Sequence, residues 1–180
     1  MRATQLLMEE HQIILRGLRV LEVLAAKAAG GDPVPPPALD ALLGFLTGFA
    51  DAHHHGKEET ILFPALEEAG FPRDAGPVGV MLEEHVQGRS LISALCEAAP
   101  GASGTPDRRA RFAAAARAYA QLLTAHIDKE NHVLFPMADQ AIAREDQQRV
   151  DEAFDGFERE FGARRAQHEG TVARLARELV

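Results

Sequence analysis

The sequence predicts an all-α protein: an up-down-up-down four-helix bundle with an additional C-terminal helical segment. Apolar residues recur at three- and four-residue steps through most of the 180 residues. No sustained alternation of apolar and polar residues marks a strand. One segment is written twice. Residues 54–64 and 126–136, aligned at Phe-Pro, share His54 with His126, Lys57 with Lys129, Glu58 with Glu130, and Leu62-Phe63-Pro64 with Leu134-Phe135-Pro136. Upstream of each, Met8-Glu9-Glu10-His11 is echoed by Leu82-Glu83-Glu84-His85. Two copies of one helical hairpin give four helices.

The first helix carries Leu7, His11, Ile14, Leu18, Leu21 and Ala25 on one stripe and ends at Gly30-Gly31. The run from Asp32 to Pro37 holds four prolines and reads as a stiff connector. A second helix extends over 38–69, with His54 and Glu58 on its apolar stripe and Pro64 inside it, where a kink is expected. Pro77 opens a third helix carrying Met81, His85, Ile92 and Cys96. Thr105-Pro106-Asp107 is the start signal of a fourth, which carries Tyr119, Leu122, Leu123, His126, Glu130 and Leu134 and again contains a proline, Pro136. Beyond residue 143 the stripe Val150, Phe154, Phe157 and Phe161 needs burial. Gly162 is expected to break it, with helix resuming over 171–180. The division expected is a bundle over 1–143 and a helical extension over 144–180 packed on it.

Composition narrows the function. The net charge of −8 and the lack of a basic block argue against a nucleic-acid partner. The one cysteine, Cys96, forms no internal disulfide and reads as a small core residue. No run approaches the roughly 20 apolar residues of a membrane span, and Glu9, Glu10 and His11 interrupt any leader-like segment. The expectation is a soluble cytoplasmic protein with no membrane partner.

Residues four apart lie one above the other on a helix, so His54 with Glu58 and His126 with Glu130 each form a two-ligand face. His11 and His85 sit in apolar stripes of their own helices. One core histidine is unremarkable, but six such groups together are not. A buried unpaired polar group costs about 1–3 kcal/mol and a buried unpaired charge more, and two carboxylates brought together repel. A pair of cations resolves this, with Glu58 and Glu130 bridging and His11, His54, His85 and His126 at the ends. Nitrogen and oxygen donors without thiolate suit iron, manganese or zinc. Neither Glu-x-x-His nor His-Glu-x-x-His occurs.

The neighbouring residues are weighed against this register. His55 and Glu59 share the four-residue spacing, but their repeat partners are Ile127 and Asn131. His53 is expected at the surface, and His132 off the metal face. Lys57 and Lys129 are expected to be solvated, and Tyr119 and the Phe154, Phe157, Phe161 stripe to be packing.

This pattern, His then His-x-x-x-Glu, twice, with Leu-Phe-Pro after each paired motif, resembles the hemerythrin-like (HHE) cation-binding family over residues 5–140. The resemblance implies a four-helix bundle, two iron ions joined by an oxo or hydroxo bridge, and binding of dioxygen or a related small ligand. It implies His11, His54, His85 and His126 as terminal ligands and Glu58 and Glu130 as bridges. The oxygen-carrying members have a second histidine four residues along the third helix, where this chain has Arg89. Either an exogenous ligand takes that position or another side chain does, with His55 and His168 as candidates. Three functions stay open: a di-iron protein that binds oxygen or a related ligand for sensing, buffering or detoxification; a di-iron enzyme acting on peroxide, nitric oxide or oxygen; and an iron-responsive interaction module. No protein partner can be named from the sequence.

Overall fold

The computed structural model describes residues 1–180, the side chain of residue 163 excepted. Helix α1 is Arg2–Gly30. It closes where Gly31 turns to φ 90°, a conformation open to a residue without Cβ. The amides of Gly31 and Asp32 then cap the carbonyls of Ala28 and Lys27. After the proline connector, helix α2 spans 36–68, α3 is Gly76–Ala98, α4 spans 106–141 and α5 is Arg144–Leu179. Pro36, Pro77 and Pro106 each occupy a first turn, where a missing amide hydrogen costs nothing. Among the described residues there is no strand, and no helix is long and apolar enough to cross a membrane.

The two internal prolines are absorbed by a local change of helix type. Helix α2 runs as α-helix over Pro36–Phe45, widens over Leu46–His55 and again over Glu58–Leu62, then resumes over Phe63–Glu68. Helix α4 does the same over Glu130–Leu134 before Phe135–Ala141. In both, the amide after the widened turn reaches back five residues, Phe63 to the carbonyl of Glu58 and Phe135 to that of Glu130. A proline lacks the amide hydrogen and its ring clashes with the carbonyl four residues back, and a π-type turn relieves both. The same turn therefore falls on the carboxylate residue of each repeat.

Helix α1 packs against α2, α4 and α5; α3 packs against α2 and α4; and α5 also lies on α2. Two apolar cores result. One joins Ile14, Leu18, Leu21, Phe45, Phe49, Ile92, Phe112, Leu123 and Ile127 with Val172 and Leu175 of α5. The other joins Leu7, Leu62, Phe63, Val78, Met81, Leu134 and Phe135 with Val150 and Phe154. In sequence, Glu10 and His11, residues 53–55 with Lys57 and Glu58, His85 and Glu130 fall between the two sets, His126 directly precedes Ile127 of the first, and all of these are buried.

Two expectations are corrected. Gly162 does not break the tail, because α5 is continuous over Arg144–Leu179. A helix-interior glycine costs only about 1 kcal/mol, and α5 is anchored on both sides of it, by Phe154 and by Val172 and Leu175, all at 0–2 % exposure. Cys96 is exposed rather than core. The buried stripe of α3 runs His85, Gly88, Ile92, Leu95, and Cys96 lies one position off it.

Gly17 sets the closeness of α1 and α2. A Cβ there would lie 2.5 Å from Cε1 of Phe45, a ring with 0 % exposure. Gly17→Ala should therefore lower stability by roughly 1–3 kcal/mol through overpacking, measured as a fall in the urea midpoint at unchanged slope. Wild-type stability in this variant would show that α1 and α2 have room to separate.

Candidate metal centre

The six predicted ligands converge. His11, His54, Glu58 and Glu130 offer atoms all within 4.8 Å of one another, and so do His55, Glu58, His85 and His126. Glu58 belongs to both groups. Its Oε1 lies 3.6 Å from His54 Nε2 and its Oε2 3.5 Å from His85 Nε2. Glu130 spans in the same way, with Oε2 3.2 Å from His11 Nε2 and Oε1 3.2 Å from His126 Nε2. Each carboxylate thus faces one histidine of each half.

All four terminal histidines present Nε2 inward because an outer group holds Nδ1. His54 Nδ1 donates to Glu10 (2.8 Å), His85 Nδ1 to Glu59 (2.7 Å), His126 Nδ1 to Glu84 (3.0 Å) and His11 Nδ1 to the side-chain oxygen of Asn131 (2.7 Å). These bonds join α1 to α2, α2 to α3, α3 to α4 and α4 to α1. The three carboxylates are ionised and accept. Glu59 is drawn down to about 2, first by the bond from His85 and then by Arg89. Glu10 and Glu84 are also lowered; in each, burial pulls upward but the bonds from histidine and lysine prevail.

With Nδ1 carrying the hydrogen, Nε2 is a bare lone pair. His54 Nε2 lies 2.9 Å from His11 Nε2, and His85 Nε2 3.2 Å from His126 Nε2, so in the neutral rings these approaches bring lone pairs together; burial draws His126 down, but Glu130 and Glu84 raise it above its ordinary value. Both oxygens of Glu58, both of Glu130 and Nε2 of His55 are buried without a hydrogen-bond partner. Burial pushes His54 down to about 4, which keeps it neutral. Burial and the charge of Glu130 push Glu58 well up, while His126 and His11 hold Glu130 down against its own burial. Without a cation, this pair therefore retains a proton. A buried layer of acceptors with one proton to share fits a metal ion far better than it fits itself.

Other positions depart from expectation. His168 belongs to neither group; its ring centroid lies 6.3 Å from those of Phe45 and Phe49. His55 belongs to the His85–His126 group and stacks on His85 with centroids 3.9 Å apart. His53 is buried rather than at the surface, and Lys57 is fully buried rather than solvated. Three consecutive histidines of α2 are all covered because α1, α3 and α5 surround that helix. His53 and Lys57, four apart, face α5. There Glu158 accepts from Lys57 (2.7 Å) and His53 (3.0 Å), Lys57 also donates to Glu10, and Arg165 lies 3.3 Å from Glu158 and 3.4 Å from Glu10. Glu10, His53 and Glu158 form a third close group of potential ligands, but lysine and arginine already supply its positive charge. In the other repeat Lys129, which donates to Glu84, is 40 % exposed. His132 is exposed, as expected. Tyr119 is buried in the wall of a small pocket shared with His55, His85, Arg89 and His126, and burial raises its phenol pKa.

Glu10 and Glu84 carried a signal that the spacing argument passed over: each is the residue before a lone histidine in the echoed Glu-Glu-His. Glu59 and Asn131 directly follow Glu58 and Glu130. Glu158 and Arg165 carried none, since only the path of α5 brings them here.

The description "Hemerythrin HHE cation binding domain" matches residues 2–138, and the chain belongs to that family. An uncharacterised protein of Mycobacterium tuberculosis is 30% identical over 159 residues, covering 87% of this chain and 61% of that protein. The iron-sulfur cluster repair protein YtfE of Escherichia coli is 30% identical over 130 residues, covering 71% of this chain and 56% of YtfE. The chain thus spans less than two thirds of the length of these curated relatives. No solved structure matches it significantly.

Glu158 gives a pH-dependent prediction. Burial would raise its pKa, but His53 and Lys57 draw it from 4.5 to about 2. A depressed carboxyl contributes stability that is complete above its unfolded value and is lost as pH falls through the folded one. Glu158→Gln should lower the stability of the metal-free chain by roughly 1–3 kcal/mol at pH 7, and the deficit should shrink from about pH 4.5 downward. Urea unfolding across that range measures it; a pH-independent deficit would mean that the ion pairs are not its source.

Proposed function

We propose that the chain is a non-haem di-iron protein that binds dioxygen or a related small ligand. The observation that carries this is the sharing of Glu58 and Glu130 between two buried histidine pairs, with all four carboxylate oxygens unpartnered. His11, His54, His85 and His126 would hold the ions at the ends, and Glu58 and Glu130 would bridge them. Two imidazoles and two carboxylate oxygens give four protein bonds to each ion from these six residues. Six-coordinate iron would then keep room for a solvent-derived oxo or hydroxo bridge and an exchangeable position. Manganese and zinc satisfy the same donors, so iron rests on the family. When bound, the iron pair supplies one-electron redox chemistry and affinity for small anions and diatomic molecules; the chain's part is to orient four imidazoles and keep the layer dry.

The helices are read as an up-down-up-down four-helix bundle over 1–143, with 144–180 as an extension packed on it. Supporting this, each core combines late residues of α1 and α3 with early residues of α2 and α4, or the reverse. The name of the relative YtfE favours a second reading, in which the iron pair serves repair chemistry as an enzyme rather than ligand binding.

Chains loaded anaerobically should hold two irons and change their absorption spectrum on exposure to oxygen, and the oxidised form should shift again with azide. Loading should release protons into weakly buffered solution, because iron displaces the proton held by Glu58 and Glu130. Ala at Glu58 or Glu130 should abolish stoichiometric binding, whereas Ala at His132 should not. Full iron content in both glutamate variants would refute the bridged pair. Sustained turnover of peroxide or nitric oxide would replace ligand binding with the enzyme reading.

A further inference from the structure

The two repeats serve as controls for each other, and at four linked positions they disagree. Asp51, His55, Glu59 and Arg89 occupy one half. By the same register the other half has Leu123, Ile127, Asn131 and Leu15. Leu123 and Ile127 are buried in the apolar core with Leu15 packed beside them. In the first half these positions form one connected polar unit. Arg89 Nε donates to Asp51 Oδ1 (2.9 Å) and its other end to Glu59 Oε1 (2.6 Å). Glu59 holds Nδ1 of His85 at 2.7 Å, and Asp51 Oδ1 lies 3.3 Å from Nδ1 of His55.

The consequence falls on His55. Its Nδ1 faces an acceptor-only carboxylate, so Nε2 carries the lone pair. That atom is buried without a partner, in the group that also holds Glu58, His85 and His126. A histidine stacked on another for packing alone would need neither an aspartate behind it nor an unsatisfied nitrogen in front, and the other repeat fills the same space with isoleucine.

Resting on the dinuclear reading above, we propose that His55 is a third nitrogen donor of the His85–His126 ion and that Arg89 is the positioning residue that sets it there through Asp51. The two ions are then unequal: one has three imidazoles and two carboxylate oxygens, the other two imidazoles and two oxygens. Arg89 stands where the oxygen-carrying members have their extra histidine. It replaces that ligand indirectly, by aiming a histidine of α2 from α3.

The test uses the full chain loaded with iron-57. Wild type should hold two irons and give two Mössbauer quadrupole doublets of equal area. His55→Ala should change one doublet and leave the other in place, with one iron leaving to a chelator faster than before. Asp51→Leu, which installs the residue type of position 123, and Arg89→Met should shift that same doublet with His55 intact. Their affinity for one iron should fall roughly 10- to 100-fold, the range for outer partners of metal-bound histidine. Arg89 is 41 % exposed, so its variant tests the proposal even if His55→Ala does not fold. Two irons with a spectrum unmoved by all three variants would overturn the role of His55 and Arg89 while leaving the dinuclear reading standing. A wild-type chain that cannot hold two irons would overturn that reading, and this one with it.

Discussion

The interaction on which the structure depends is the convergence of buried acceptors that share a single proton between Glu58 and Glu130. Four imidazole lone pairs and four carboxylate oxygens meet between two apolar cores that keep water out. Left alone, such a layer is costly. Neighbouring lone pairs repel, and two carboxylates in a medium of low dielectric constant cannot both stay ionised. The fold stands because the imidazole Nδ1–H donors lie on the outside. Glu10, Glu59, Glu84 and Asn131 take the Nδ1 hydrogens, and each of these bonds crosses from one helix to the next around the ring. The interactions that aim the imidazoles are therefore the ones that tie the four helices together at this level, so imidazole orientation and helix packing are coupled.

Helix α5 breaks the two-fold plan. It lies mainly on α1 and α2, so Glu10, His53 and Lys57 are sealed by Glu158 and Arg165. The matching Glu84–Lys129 pair stays near solvent. A closed network that already contains lysine and arginine balances its own charge, and so it fixes Glu10 without competing for metal. The Asp51–Arg89 unit adds a second asymmetry on the opposite face of α2. Duplication supplied two similar half-sites, and substitutions around them have made the halves different.

Family membership fixes the domain but not the activity. The hemerythrin HHE match covers 2–138, and the relatives matched are longer than this chain. What distinguishes one use of an iron pair from another is donor count, access and the second layer of hydrogen bonds. In this chain the candidates for such differences are His55, Arg89 and the α5 network rather than the six residues that define the motif.

The sequence by itself determined the helical class, the two-fold plan and the identity of the six convergent side chains. Each follows from local periodicity: a helix face is set by steps of three and four, and a duplicated motif repeats that face. The same reasoning placed His53 at the surface and Lys57 in solvent, because it gave α2 a single buried side. Only the tertiary structure decided otherwise, since three elements surround α2 and burial on a covered helix no longer follows its stripe. Cys96 and Gly162 differ for related reasons: one lies a single position off its stripe, and the other sits in a helix whose anchors on both sides outweigh a local cost. Whether His55 or His168 joins the convergent ligand groups was also beyond periodicity. His55 is brought in by Asp51 and Arg89 on two different helices, and His168 is held against Phe45 and Phe49 by the course of α5. Contacts between distant elements carry no spacing that a single sequence displays.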